Sequence, residues 1–335
     1  MSKKILSLLL YSCLLVVGGN ANAQSKDNSY LFRLYDDNDG INITGNGTDE
    51  AYTNGTRFDL FYTPRKLPRA IPDRWMPRAG QESVNTYGWG FMQAMFTPRI
   101  IKREVPPPGD YAYSAGLFII RSLHSANPVR KYNIQTSWVA GVMGPWALGK
   151  ETQTTVHRLL GYQTPRGWSS QLKNDVLLNL NIAAEKQLLG YKRFIEVIGG
   201  TELCAGTMLN TLSAYSLIRI GKMQPYFNGY LSQYTTNTGD AQHWQLYFTL
   251  QPGARLMLTN ALIEGGMFSN HESAHRIMAD GHSTFAMHKL LGGIDYGVVA
   301  VYRRVGFSLS QKSVSSMIKG LPSVETGNIS LYIAW

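Results

Sequence analysis

The sequence predicts an all-β protein, a transmembrane antiparallel β-barrel of twelve strands. Three observations favour this fold: the chain ends on an alternating segment, long alternating stretches recur before it, and the candidate strands are even in number. In the last eight residues, 328–335, one face would carry Ile329, Leu331, Ile333 and Trp335. A final strand that ends on an aromatic residue is common in outer-membrane barrels and rare in soluble proteins.

The recurring alternation gives strands with one apolar and one polar face. This pattern is typical of a barrel with lipid outside and a polar lumen inside. A secreted β-sandwich also alternates, but its strands are usually shorter. The apolar faces are formed by Val176, Leu178, Leu180 and Ile182; by Trp244, Leu246, Phe248 and Leu250; and, taken as one continuous run, by Val299, Val301, Val305, Phe307 and Leu309.

Twelve candidate strands can be placed along the chain, an even number as bacterial barrels require. Pro252 and Gly253 interrupt the ninth, which predicts either a bulge or a division into two strands. The strands are expected to begin near residues 30, 54, 86, 110, 132, 171, 192, 206, 242, 284, 298 and 326.

The N-terminal residues 1–23 predict a secretory signal peptide. Lys3 and Lys4 precede an apolar run, and Ala21-Asn22-Ala23 supplies a cleavage site of small residues. We therefore expect residues 24–335 to form a single outer-membrane barrel domain. Cys204 is the only cysteine left after cleavage, which excludes an intramolecular disulfide.

The chain is basic, with 32 Lys and Arg against 22 Asp and Glu and a formal charge of +10. Loss of Lys3 and Lys4 with the signal peptide would leave 30 against 22, or +8. Such an excess suits a surface that meets phosphorylated lipid or nucleic acid. Secretion argues against nucleic acid as a partner.

Oxygen-bearing side chains gather around the first predicted hairpin. Asp37, Asn38 and Asp39 end the first strand, Thr48-Asp49 follows in the loop, and Tyr52-Thr53-Asn54-Gly55 opens the second strand. Carboxylate, amide and hydroxyl oxygens are suitable ligands for a hard cation such as calcium. A solvated turn is the alternative interpretation, since Gly and Asn are ordinary turn residues.

A short helix is predicted from Lys150 to Leu160, ended by Gly161. Gln153 and His157 lie four residues apart and would share one face of it. If the first strand rises from the periplasm, this helix lies on the extracellular rim, together with the loop that carries Lys102 and Arg103. Because imidazole titrates near neutral pH, His157 is the best candidate for a general base.

The chain resembles the outer-membrane lipid A 3′-O-deacylase family over essentially its whole mature length. The residues that carry this resemblance are Asn38-Asp39, Tyr52-Thr53-Asn54-Gly55, Gly144-Pro145, the Gln153 to His157 spacing, Gly167-Trp168 and the terminal strand.

The resemblance implies a barrel with a calcium-dependent site on its outer face. By this resemblance Asn38 and Asp39 help to hold the cation, Thr53 is a polar member of the site, and His157 is the base. Gln153, four residues before His157, is the remaining catalytic candidate. The resemblance also implies that Lys102 and Arg103 bind phosphates of the substrate. The chain departs from the family pattern at Gln163, where that pattern has Glu.

These expectations combine into an outer-membrane esterase that removes an ester-linked acyl chain, the 3′-linked one, from the lipid A of lipopolysaccharide. No Gly-x-Ser-x-Gly elbow is present, so direct attack by water is expected. The site would face outward from the cell, and the protein would act as a monomer among outer-membrane lipids. A non-catalytic porin or adhesion barrel and an outer-membrane phospholipase are the alternatives.

A second histidine motif allows a different interpretation. The residues from His271 to His275 match the short zinc-protease pattern, in which two histidines one helical turn apart bind the metal. That pattern requires a helix, whereas here it lies between Gly265-Gly266 and Gly281. An incidental metal site in a rim loop is the alternative reading of this motif.

Overall fold

The fold is given by a computed structural model in which residues 29–42, 51–66, 68, 70–236, 243–269 and 287–335 are described. Three features of the sequence lie outside these residues. They are the signal segment 1–23, the Thr48-Asp49 pair and the motif from His271 to His275.

Twelve antiparallel strands within the described residues form one closed barrel, in which sequential strands pair and β1 pairs with β12. The closed sheet confirms the predicted fold class and strand number. The strands are β1 Tyr30–Asn38, β2 Ala51–Tyr62, β3 Val84–Thr97, β4 Ser114–Asn127, β5 Tyr132–Met143, β6 Asp175–Tyr191, β7 Ile195–Gly206, β8 Leu209–Lys222, β9 Trp244–Asn260, β10 Leu290–Tyr302, β11 Val305–Val314 and β12 Val324–Ala334.

The two faces of the barrel wall differ in polarity as the alternation predicted. Phe58 and Leu60 of β2 and Trp89 and Phe91 of β3 are exposed on the outside. The lumen holds a cavity of about 540 Å³ whose lining is polar and charged and includes Arg33, Tyr35, Arg57, His124 and Lys312. An apolar outer face around a polar interior is the arrangement of a barrel that spans a membrane.

The terminal strand closes the barrel. β12 pairs with β1 from Gly327 to Ala334, and the ring of Trp335 stacks on Tyr30 with centroids 5.7 Å apart. Along β12 the inward residues Asn328, Ser330 and Tyr332 are buried. Ile329, Leu331 and Ile333 therefore share the outer face, as predicted.

The interpretation of residues 299–309 as one continuous strand is wrong. The chain turns at Arg303 and Arg304, and Tyr302 of β10 pairs with Val305 of β11. Residues paired directly across a hairpin share a face, so the turn reverses the parity of the alternation. Val301 is consequently buried on the lumen side, whereas Val305 is exposed outside.

Pro252 does not divide the ninth strand. β9 is continuous, and Pro252 pairs opposite Ile294 of β10. On its other side, the pairing with β8 lapses between Tyr215 and Ile218. Proline has no amide hydrogen to donate, so one ladder is interrupted while the other persists.

Residues 223–236, between β8 and β9, fold into one end of the lumen. Arg33 of β1 donates a 3.0 Å hydrogen bond to the Tyr230 hydroxyl. The Tyr226 hydroxyl donates to Glu185 of β6 at 2.8 Å, and the Tyr234 ring stacks on Tyr332 at 3.9 Å. The segment thus contacts several parts of the wall and occupies part of the lumen at this end of the barrel.

The described α-helices are α1 Ile71–Arg74, α2 Gly149–Leu160 and α3 Ala261–Glu264. None of them is long and apolar enough to cross a membrane. α2 lies in the connection from β5 to β6, and the connections from β1 to β2 and from β3 to β4 leave the barrel at the same end. We call this the α2 end.

Candidate active site

α2 confirms the predicted helix and packs on the outside of the barrel. It ends at Gly161, whose φ of 72° is the left-handed conformation of a helix C-cap. Gly149 approaches Ala115 so closely that a Cβ at Gly149 would lie 2.5 Å from that of Ala115. On β4, Ser122 and His124 line the lumen, so Ala115 faces outward by alternation.

The face of α2 that meets the wall carries both predicted residues. Gly149, Gln153 and His157 recur every four residues and are its buried positions. Gln153 is 3% exposed and His157 is 5% exposed. The predicted shared face is therefore present, and it is turned toward the wall.

A small buried apolar cluster packs against α2 where this helix meets the barrel wall. Its buried members come from β3, from β4 and from two connecting segments, those between β3 and β4 and between β5 and β6. Gly167 allows the close packing, because a Cβ there would lie 2.3 Å from the Tyr113 ring. The members are Met95, Ile101, Tyr113, Ala115, Ala147 and Trp168.

Trp168 connects this cluster to Gln153. Its Nε1 donates a 2.8 Å hydrogen bond to Gln153 Oε1, and the tryptophan is 2% exposed. The bond fixes which end of the Gln153 amide is the donor. Among the described residues, Gln153 Nε2 is buried and donates to no acceptor, an unusual state for a buried amide.

His157 is held by the chain that follows its own helix. Its Nδ1 lies 2.5 Å from the backbone oxygen of Gln163. Since a carbonyl oxygen can only accept, Nδ1 carries the proton and Nε2 is the basic nitrogen of the neutral ring. Gln163 thus reaches His157 through its backbone, while its side chain is exposed. Nothing in a residue's identity indicates a contact made by its carbonyl group.

Asn38 and Asp39 form a tight turn at the end of β1. Asn38 Oδ1 accepts a 2.7 Å hydrogen bond from the Gly40 amide and caps the 3-10 turn Asp39–Ile41. The backbone of Ile41 packs over Gly327, where a Cβ would lie 2.8 Å away. Gly327 faces outward on β12, so this turn also lies against the outer wall, and Asp39 is only 5% exposed.

Asp37 lies on the other side of the wall from Asn38, because successive strand residues alternate. Its carboxylate is 3.1 Å from Lys312 Nζ and accepts hydrogen bonds from Tyr35 and Asn328 inside the lumen. The sequence interpretation that grouped Asp37 with Asn38 and Asp39 at one site is therefore wrong.

Thr53 occupies a bulge between β2 and β3. The register shifts between Tyr52 and Asn54, which leaves Thr53 as the extra residue. Its Oγ1 lies 2.6 Å from Thr97 Oγ1, and both threonines are buried. Thr97 was not recognised in the sequence, since a single threonine at a strand end has no distinctive signal.

Lys102 and Arg103 are exposed in the connection from β3 to β4. That connection is fixed to the segment after α2: the Arg166 amide donates to the Ile101 carbonyl at 2.9 Å, and Ser170 Oγ donates to that of Glu104 at 3.2 Å. The two cationic side chains therefore lie on the same rim as the α2 segment.

The comparisons with known proteins agree with this architecture. Residues 8–335 match the sequence model of the family described as outer membrane protein LpxR. The chain belongs to this family. Its membership confirms the resemblance to the lipid A 3′-O-deacylases and the outer-membrane barrel fold.

Solved structures resemble this LpxR family member to different degrees. LpxR from Salmonella typhimurium superposes with a TM-score of 0.69 at 17% identity, covering 91% of this chain and 100% of that chain. At this identity the likeness concerns the fold. The β domain of the Bordetella autotransporter BrkA gives a TM-score of 0.43 at 8% identity, covering 92% and 99%. No curated protein sequence matches the chain.

Asn38 and Asp39 have the donor chemistry that calcium prefers, an amide oxygen and a carboxylate. The described residues hold no group of three or more His, Cys, Asp or Glu side chains arranged around a metal position. Calcium takes six to eight oxygen ligands, in general including backbone carbonyls and water. Asn38 and Asp39 therefore have suitable donor atoms for calcium but supply too few of them. Backbone carbonyls or water would have to complete the coordination.

Proposed function

We propose that this LpxR family member is an esterase that removes the 3′-linked acyl chain from lipid A. Water would add to the ester carbonyl carbon, the carbon–oxygen bond to the sugar would break, and the proton taken from water would pass to the departing alkoxide. The products would be a fatty acid and a lipid A with a free hydroxyl. The support is family membership together with the buried face of α2 against the outer wall.

His157 would take the proton from water. The hydrogen bond to the Gln163 carbonyl keeps Nδ1 protonated and assigns the base function to Nε2. The same contact stabilises the imidazolium formed once Nε2 is protonated, because the carbonyl dipole then faces a cation. This orientation is the observation on which the proposed mechanism chiefly rests.

Gln153 would bind an oxygen of the reacting ester. Its Nε2 is buried and has no acceptor among the described residues, and Trp168 holds the opposite end of the amide. A fixed N–H donor aimed at developing negative charge stabilises a transition state more than a mobile one. The Thr53 and Thr97 hydroxyls would add polar contacts on the neighbouring strands.

Asn38 and Asp39 would hold calcium, which when bound supplies positive charge for the ester carbonyl oxygen. Lys102 and Arg103 would meet phosphates of lipid A, to which guanidinium and ammonium groups bind well. We place this rim on the extracellular side. One chain carries all of these residues, so a monomer suffices.

The porin alternative has no support from the lumen. Residues 223–236 occupy part of the lumen at one end of the barrel and contact β1, β6 and β12, which does not favour a wide open pore. A phospholipase would use the same chemistry on a different lipid, and the substrate distinguishes the two enzymes.

The test is mass spectrometry of lipid A incubated with the purified barrel in detergent. In the presence of calcium, we expect the mass of lipid A to fall by that of its 3′-linked acyl chain. A parallel incubation with phosphatidylethanolamine should release no fatty acid. Release from the phospholipid alone would favour the phospholipase, and no release from either would leave a non-catalytic barrel.

A further inference from the structure

The outward residues of the barrel can be followed from strand to strand along one hydrogen-bonded row. Each member pairs directly with the next, so the row visits all twelve strands once and rises toward the α2 end because the strands tilt. In order it runs Ile195, Ile220, Phe248, Val298, Leu309, Ile329, Asp36, Thr56, Gln93, Leu117, Val142 and Val176.

This row is apolar except on three adjacent strands. Asp36, Thr56 and Gln93 interrupt it on β1, β2 and β3, with apolar residues on both sides. The row continues beyond them toward the α2 end, where Val176 is apolar and 57% exposed. The three polar residues therefore do not simply mark where the apolar band ends on the side of the α2 end. An ionisable residue on such a face is costly and usually functional.

The three polar residues differ in what they do within the protein. Gln93 Nε2 donates to the Ala147 carbonyl at 2.6 Å and so ties the start of the α2 segment to the wall. Thr56 Oγ1 and Asn54 Nδ2 both donate to the same oxygen of Asp36, Oδ1, at 2.8 and 3.1 Å. Within the described residues, Asp36 Oδ2 accepts no hydrogen bond.

Asp36 also lies beside the candidate site. Asn38, two residues along β1, faces the same side, and Asn54 pairs directly with Asn38. Thr53 is the neighbour of Asn54, and Gln93 leads to the α2 segment. The open carboxylate oxygen is thus on the membrane side of the site, where the acyl chains of a lipid would lie.

We propose that Asp36 is a substrate-binding residue whose Oδ2 accepts a hydrogen bond from lipid A. The donor would be an amide N–H or a hydroxyl of an acyl chain, groups that lipid A carries where its chains join the sugars. The inference rests on the proposed function and adds to it a group that selects lipids with such donors. A glycerophospholipid with unsubstituted ester-linked chains offers none there.

The test uses Asp36→Asn, which is nearly isosteric. Asn54 and Thr56 would keep the side-chain oxygen on their side, so the open acceptor becomes an amide donor. Binding is measured in the His157→Ala background, with three synthetic acylated glucosamine phosphates in detergent. The first has an amide-linked 3-hydroxyacyl chain, the second replaces the amide by an ester, and the third lacks the hydroxyl.

We expect Asp36→Asn to weaken binding of the first compound by about tenfold or more, the effect of losing a hydrogen bond to a charged group. One of the other two compounds should bind both proteins equally, and that compound identifies the donor. Asp295→Asn, the same change at a carboxylate that lines the lumen, is the matched control and should have no effect.

Three results would overturn the proposal. The first is unchanged binding of all three compounds by Asp36→Asn, and the second is an equal loss of binding for all three. The third is a shift in the calcium concentration required for deacylation by the Asp36→Asn single variant, which would make Asp36 a cation ligand. Heat-modifiable gel migration verifies folding. If the unsubstituted protein neither binds nor deacylates lipid A, the proposed function itself fails, which is a separate outcome.

Discussion

The Trp168→Phe substitution tests whether Gln153 acts through a fixed orientation. It removes one buried donor and leaves most of the aromatic packing, since the ring lies on Tyr113 with centroids 5.0 Å apart. Gln153 Oε1 would lose its 2.8 Å hydrogen bond and remain buried. An unpaired buried acceptor costs about 1–3 kcal/mol.

Catalysis should lose a comparable free energy, because the Gln153 amide could then rotate and turn its Nε2 away from the ester oxygen. One to three kcal/mol of transition-state stabilisation corresponds to about a 5- to 150-fold fall in kcat. KM should change less, since the lost orientation matters most where charge develops. Initial rates of acyl release from lipid A, measured over a range of substrate concentrations, separate the two constants. Trp89→Phe, an exposed tryptophan on the outer face of β3, is the matched control.

A double-mutant cycle makes this prediction specific. In the Gln153→Ala background, Trp168→Phe should have little further effect on kcat, because its action passes through the missing amide. Additive losses would show that Trp168 supports the site by packing alone. Full activity in Trp168→Phe beside a strong loss in Gln153→Ala would refute the orienting role.

Two further predictions concern the cation and the terminal strand. Asp39→Ala should abolish activity or raise the calcium concentration it requires, and Asn38→Ala should do so more mildly, since only the first removes an anionic ligand; activity that persists in excess chelator would exclude calcium. Removal of Ile333–Trp335 deletes paired residues of β12 and the Trp335 contact with Tyr30, so heat-modifiable barrel should be lost from the outer membrane while export continues. Normal assembly of the shortened chain would contradict this.

The sequence was sufficient for the architecture because period-two alternation reports directly on which face of a strand meets lipid. It was also sufficient for α2 and for the shared face of Gln153 and His157, since helix periodicity is a local property. It failed at Arg303 and Arg304, where a tight turn falls inside a pattern that reads as continuous.

Other parts of the site depend on contacts distant in sequence. Asp37 and Asn38 are neighbours in the chain, yet the wall separates them, and the partner that identifies Asp37 as lumenal is Lys312. Thr97 joins the site through Thr53, and Gln163 through a carbonyl group. These relations need the strand register or the backbone path, which residue types do not encode.

The central claim is that His157 is the base. It is tested most directly by comparing the deacylation rates of histidine variants on the same lipid A preparation. His157→Ala should lower deacylation by at least about two orders of magnitude, the usual contribution of a positioned general base. His271→Ala and His275→Ala should retain the activity of the unsubstituted protein, with heat-modifiable migration as the folding control for all three. An active His157→Ala beside an inactive His271→Ala would contradict the account and favour the zinc-type motif.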